Sequence, residues 1–287
     1  MLSMIASSAW AETSNVDWTN GRQVAVAGSN VTKSTGGAAW NAGASATKAL
    51  TSGAGYFVFT AATANASYAA GLSESDLSLD PSDLSYSIQL SAAGTVAVYE
   101  SGVSRGTFGS YVAGDSFRID VAAGVATYSR NGVLFYTSGV AVKYPLQPDV
   151  SLFSPGASIA DAVVSGTLSE IVSWAGSAGV ASTANNLTKT STAVGYNAGA
   201  VSTRAISSGD GSMELTAKTT SGGFAIGLGT GDSGAGYADI EFAFLLNGAS
   251  LTIYESGVSK GSFGSYVAGD HLRVAVESGV VLSLIHI

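Results

Sequence analysis

The sequence contains no cysteine, which removes disulfides, thiolate metal sites and cysteine nucleophiles together. It leaves the compartment open. Histidine is nearly absent: His271 and His286 are the two present, so a zinc or copper centre is not expected. No Gly-x-Ser-x-Gly elbow leads into a helix, and a Ser-His-acid triad is excluded. Charge is also scarce. Only 11% of residues are charged, against about a quarter in ordinary globular chains. No run of 18 apolar residues occurs, so nothing reads as a membrane-spanning helix and no membrane insertion is expected. The little charge present is mostly acidic, 20 Asp and Glu against 12 Lys and Arg, for a net charge of −8. Such a chain lacks the cationic surface that phosphate backbones require, which argues against nucleic acid and against anionic membranes.

What is abundant is small. Glycine reaches 37 residues while proline is only 4, and alanine, serine and threonine fill much of the remainder. A hydrophobic share of 46% argues for a packed core rather than disorder. Scattered Val, Ile, Phe and Tyr between small residues suit short strands and tight turns, and few segments carry the Glu, Lys and Leu of a stable amphipathic helix. A length of 287 residues admits one large or two ordinary domains. Near the start, Ala9-Trp10-Ala11 before Glu12 fits the small-x-small pattern of a signal-peptidase site, although Met1 to Ser8 lacks a basic residue and is short for an apolar region. The competing reading is an interdomain linker.

Self-similarity is the main signal. Tyr99-Glu-Ser-Gly-Val-Ser-Arg-Gly-Thr-Phe-Gly-Ser-Tyr-Val-Ala-Gly-Asp115 returns at Tyr254 to Asp270 with only Arg105/Lys260 and Thr107/Ser262 exchanged. Upstream, Trp40-Asn-Ala-Gly-Ala44 matches Tyr196-Asn-Ala-Gly-Ala200, Asn30-Val-Thr-Lys33 matches Asn186-Leu-Thr-Lys189, and Trp18 matches Trp174. The offset is 156 residues before a deletion near Ala93 and 155 after it. A unit of that length is too long for a solenoid repeat, so each copy is expected to be a domain. Residues 13–166 form the complete module, and 167–281 a truncated second copy. Residues 282–287, Leu282-Ser-Leu-Ile-His-Ile287, break the pattern where an Asn-Gly hairpin is due; they resemble a translated library adaptor and are expected to be a non-native tail.

Within the first copy, Tyr56 to Thr60, Tyr68 to Leu72, Leu84 to Leu90, Val96 to Tyr99, Phe117 to Val121 and Val125 to Tyr128 alternate as half-buried strands do. Asn131-Gly132, between Tyr128 and Leu134-Phe-Tyr136, is a strong hairpin signal because both turn positions tolerate positive φ. Gly114-Asp115 and Ala123-Gly124 mark further reversals. Ten or more short strands without a helix between them imply an all-β fold, an antiparallel two-sheet sandwich of jelly-roll type.

The order of these motifs resembles the concanavalin A-like lectin/glucanase superfamily, in the sense that includes SPRY-type domains. The resemblance is carried by Trp40-Asn-Ala-Gly-Ala44, Gly55-Tyr-Phe-Val-Phe59, the Gly114-Asp115 turn before Phe117-Arg-Ile119, and Asn131-Gly132. Asp149 to Ser154 and Ser158 to Ser165 look like its closing strands. The resemblance covers nearly all of the first copy and about two thirds of the second. It implies a tandem module of a large bacterial surface or secreted protein, extracellular and flanked by other domains; it does not imply a sugar, because fold does not give function.

A glucanase needs two carboxylates flanking a cleft. Asp239-Ile-Glu241 offers a pair on one face, but the aligned positions in the complete copy are Asp83 and Ser85, so no catalytic residue is assigned and no enzyme is expected. No cofactor is called for. For calcium, Ser73-Glu-Ser-Asp76 with Asp80 is the best acidic cluster, with only Asp232 in that region of the second copy and no EF-hand spacing anywhere. Trp40-Asn41 and Tyr196-Asn197 fit the aromatic-plus-amide pattern of a sugar site, against a reading in which the ring plugs the sandwich edge and the amide caps a turn. Glu100, facing outward, is expected to form an exposed ion pair with Arg105, as Glu255 with Lys260. Three functions follow in order: a non-catalytic structural or spacer repeat, a carbohydrate-binding adhesive module that meets glycans or other cell-surface components, and a glycoside hydrolase-like domain.

Overall fold

A computed structural model describes residues 12–183 and 185–285. The Ala9-Trp10-Ala11 segment and the last two residues of the suspected tail lie outside them. The chain divides into two compact units, the first ending at Ile171 and the second beginning at Val172.

The first unit is built from fifteen strands. In chain order they are β1 (Glu12–Asn15), β2 (Trp18–Arg22), β3 (Val24–Ala27), β4 (Asn30–Lys33), β5 (Ala42–Ala46), β6 (Lys48–Ala61), β7 (Tyr68–Ser73) and β8 (Tyr86–Leu90). There follow β9 (Thr95–Glu100), β10 (Val103–Ser110), β11 (Ser116–Ala122), β12 (Val125–Arg130), β13 (Val133–Ala141), β14 (Gln147–Leu152) and β15 (Ser158–Glu170). One sheet runs β13-β12-β11-β6-β15-β4-β3, with β1 also on β15; the other runs β10-β9-β8-β7-β14-β5-β2. Between them lies a single core, to which Phe57, Phe59, Ile119 and Val164 contribute from the first layer and Tyr68, Ile88, Val98 and Val150 from the second. This is the antiparallel sandwich expected from the alternation. The Asn131-Gly132 signal sits at the tip of the β12–β13 ribbon with φ of 51° and 79°, a type I′ geometry. Asn131 also clasps the neighbouring turn: its Oδ1 accepts from the Ser116 amide and its Nδ2 donates to Asp115 Oδ1, both at 2.8 Å. Strand β15 continues past residue 166, pairing Glu170 with Lys48.

The second unit contains β16 (Trp174–Ala178), β17 (Val180–Thr183), β18 (Asn186–Lys189), β19 (Gly199–Ser202), β20 (Gly211–Thr216), β21 (Gly223–Leu228), β22 (Phe242–Asn247), β23 (Ser250–Glu255), β24 (Val258–Ser265), β25 (His271–Glu277) and β26 (Val280–Ile285). The offset of the sequence repeat maps these, one for one, onto β2 to β12. Their pairings follow suit: β16-β19, β17-β18, β20-β25-β26 and β21-β22-β23-β24. Each layer is in two pieces because, among the described residues, no strand occupies the place that β14 or β15 takes in the first unit. Shared details reach single atoms. The Trp18 indole donates to Ser29 O at 2.9 Å, and the Trp174 indole to Asn185 O at 2.8 Å.

Candidate functional site

Along β5, β7 and β14, every second side chain points away from the core. These are Ser45, Ser73, Gln147, Asp149 and Ser151, small or polar as an outer sheet face requires. They are nevertheless buried, because the acidic loop from Glu74 to Ser85 lies over them. Gly43 makes room for that loop: a Cβ there would stand 3.2 Å from Leu79 and 2.3 Å from the Val150 carbonyl. Ser151 Oγ donates to Leu79 O. Asp80 caps a short 3₁₀ turn at Pro81–Asp83, accepting from the Ser82 amide at 2.9 Å; the Ser82 hydroxyl first, and this amide second, hold its carboxyl below the usual range.

Here Asp76, Asp83 and Asp149 bring carboxylate oxygens within 4.8 Å of one another. Asp76 Oδ2 accepts from Ser45 Oγ at 2.8 Å and from Asn20 Nδ2 at 3.2 Å. Asp83 Oδ2 accepts from the Leu77 and Ser78 amides at 2.6 and 2.9 Å. Asp149 is fully enclosed, and burial pushes its carboxyl well up, with the Asp76 charge adding to the effect and a 2.9 Å hydrogen bond from Ser73 Oγ opposing it. Burial raises Asp83 too. Like charges gathered this closely repel, and a bound cation would offset that repulsion. The oxygen-only donor set suits a hard cation such as calcium. The sequence marks Asp76 and Asp80 but not Asp149, which lies 73 residues away and carries no local signal.

The aromatic and amide candidates have structural employment. Lys33 is buried in the first unit, and its ammonium donates to Ala39 O, Asn41 Oδ1, Leu152 O and Phe153 O at 2.8, 2.7, 3.3 and 2.9 Å. Asn41 is therefore occupied by Lys33, whose own pKa is lowered by burial. The half-buried Trp40 ring packs on Phe153, centroids 5.3 Å apart. In the second unit Tyr196 meets Tyr237 edge-on at 5.0 Å, and Tyr237 meets Tyr254 at 5.2 Å; Asn197 is exposed.

The acid pair of the second unit fastens the loops beside it. Asp239 accepts from the Ser233 and Gly234 amides at 2.9 and 3.2 Å, repeating the lock that Asp83 forms on Leu77 and Ser78. Glu241 accepts from Thr230 through its amide and hydroxyl. The Ser233 hydroxyl, which also donates to Asp239, followed by its amide, and the Thr230 bonds on Glu241 hold both carboxyls below their usual range, the opposite of what a general acid needs. His271 lies 3.4 Å from the Thr216 hydroxyl.

One expectation needs correction. Glu100 is not an outward-facing surface group: it is 1% exposed, with Tyr128 donating to it at 3.0 Å and the Arg105 guanidinium in an ion pair with it at 2.8 Å. Tyr128 reaches it from β12. Its counterpart Glu255 does form the exposed pair with Lys260, at 3.0 Å, and Ser283 stands where Tyr128 would.

No protein-family model matches the chain, and no curated protein does. Solved structures do. The SPRY domain of human HERC1 is similar over 52% of this chain and 97% of its own, at 18% identity and a TM-score of 0.39. The Emp47p carbohydrate recognition domain is similar over 56% and 96%, at 7% identity and 0.39. A prokaryotic β-1,3-1,4-glucanase (lichenase) from a mouse hindgut metagenome is similar over 56% and 94%, at 8% identity and 0.35. Each likeness concerns the course of the backbone; what this chain binds has to be read from its own side chains.

Proposed function

We propose that the chain is a non-catalytic structural or spacer module of a larger extracellular or cell-surface protein, its second unit being a further copy of the domain in which no described residue takes the place of β14 or β15. One observation supports this reading above others: apart from the exposed Asn197, the side chains marked for a ligand or for catalysis are engaged within the fold. Asn41 holds Lys33, Trp40 packs on Phe153, and Asp239 and Glu241 fasten their own loops. Sparse charge and layered hydrogen bonding suit a part whose task is to keep its shape. The test is a glycan array and a reducing-sugar assay on β-glucans with the intact chain, both expected to stay silent. Saturable binding to one glycan class, lost in Trp40→Ala with thermal stability intact, would overturn the proposal.

A second reading, a carbohydrate-binding adhesive module, draws on the Asp76, Asp83 and Asp149 cluster, where a bound cation could present its remaining positions to sugar hydroxyls. Its signature is a calcium-dependent rise in thermal stability that chelator reverses and Asp149→Asn abolishes.

A further inference from the structure

We infer that the second unit accepts an extended two-strand segment of the β14–β15 type along open sheet edges. The inference rests on the reading of that unit as a copy of the first. In the first unit β14 fills the lane between β7 and β5, and β15 the lane between β6 and β4. The corresponding lanes in the second unit lie between β21 and β19 and between β20 and β18. Each of these four strands has one edge without a strand partner among the described residues. Unpaired edges recruit strands, since main-chain donors and acceptors stand ready in register.

Burial identifies the kind of occupant. Phe57, Phe59, Tyr68, Ala70 and Leu72, which border the filled lanes, are at most 1% exposed. Their counterparts Met213, Leu215, Phe224, Ile226 and Leu228 are only partly buried. The occupant must therefore supply apolar side chains on one face, as Val150, Leu152, Ile159, Ala162 and Val164 do in the first unit.

Polar groups that serve β14 and β15 are kept as well, although nothing in the second unit uses them in the same way. Asn30 Oδ1 accepts from the Asp161 amide at 2.9 Å, at the irregularity in β15, and Thr32 bonds the Ser158 hydroxyl at 2.7 Å. Asn186 and Thr188 occupy those positions. Lys33 donates to the carbonyls of Leu152 and Phe153 as well as to Ala39. Lys189 keeps the bond corresponding to Ala39, to Gly195 O at 2.6 Å, but is exposed. It stands where the end of an inserted strand would offer two further carbonyls.

The probe is a labelled synthetic peptide of residues 147–170 added to the intact chain, with binding followed by fluorescence anisotropy and by hydrogen exchange. Saturable binding is expected, with slower exchange at Gly211–Thr216 and Gly223–Leu228. Carrying Val150→Asp and Val164→Asp, the peptide should bind about tenfold more weakly or worse, because two buried apolar side chains become charged. Lys189→Ala, at an exposed position, should weaken the parent peptide by roughly tenfold through two lost charge-assisted bonds. Absence of saturable binding, or binding indifferent to both changes, overturns the inference. Exchange at Phe242–Glu255 separates the causes. If that central hairpin is protected while the edges ignore the peptide, only the strand-acceptor role fails. If it exchanges at once, the second unit does not hold the fold, and the reading of it as a copy fails too.

Discussion

Arg105→Ala is expected to destabilise the first unit by about 2–4 kcal/mol, whereas Lys260→Ala, the same change in the same motif, should cost under about 1 kcal/mol. The magnitudes come from the surroundings. Removing one partner of a buried ion pair typically costs about 3–5 kcal/mol, because the other charge is left without compensation. Glu100 is 1% exposed, but Arg105 is 30% exposed, so water reaches part of the pair and the lower half of that range applies. The Tyr128 hydroxyl, 3.0 Å from Glu100, remains as a donor and reduces the loss further. At Glu255 and Lys260 both side chains are nearly half exposed, and solvent replaces whatever is removed. The assay is hydrogen exchange along a urea series, with peptides from β9 and β12 reporting on the first unit and peptides from β23 and β25 on the second. A double-mutant cycle completes it: with Glu100→Gln in place, removing Arg105 should cost about 1–2 kcal/mol less than in the parent, since an amide needs no counter-charge. Equal costs for the two alanine variants, or no coupling in the cycle, would refute the view that burial makes the first pair matter.

Lys33→Ala should cost about 2–4 kcal/mol and lower the first unit's thermal midpoint, since it removes a charged donor from the half-buried Asn41 oxygen and from three carbonyls; Asn41→Ala should cost less. Asp149→Asn should stabilise the cation-free protein at neutral pH and leave it unchanged in acid. Because the folded state holds that proton more tightly than the unfolded chain, whose ordinary value is 3.8, parent stability is lost as pH rises through the folded pKa, and the variant removes the loss. Urea midpoints across that pH range decide it. Gly71→Ala should cost about 1–3 kcal/mol by thermal denaturation, because the added Cβ would lie 2.0 Å from the Tyr86 carbonyl; Gly227 meets Phe242 O at 1.8 Å in the same way.

Turns and alternation were legible because their causes are local. Asn131-Gly132 needs only two residues that accept positive φ, and β9 and β11 show their buried face in the order of their side chains. The edge strand β2 was not legible: Thr19, Asn20 and Gly21 carry no strand signal, and pairing with β5 creates one. Strand β6 is longer than its Tyr56 to Thr60 signal because β15 extends it back to Lys48 across glycines 53 and 55. The candidate site suffered more. Trp40 and Asn41 have the composition of a sugar platform, and only Lys33, Leu152 and Phe153, remote in sequence, reveal that they fasten a corner. Glu100 shares the face of Val96 and Val98, so the alternation of β9 places it inward, and its charge alone suggests a surface acid. Asp149 joins Asp76 and Asp83 through sheet pairing alone.

The placing of β14 and β15 bears on how the first unit comes into being. They are the last strands to be synthesised, yet they lie in the interior of both layers, and Lys48 finds its partner only when Glu170 is available. A nascent chain therefore waits, its halves unjoined, until the final stretch has left the ribosome. Contacts of such sequence separation make for slow folding, and the wait is the time at which a chaperone would find this protein.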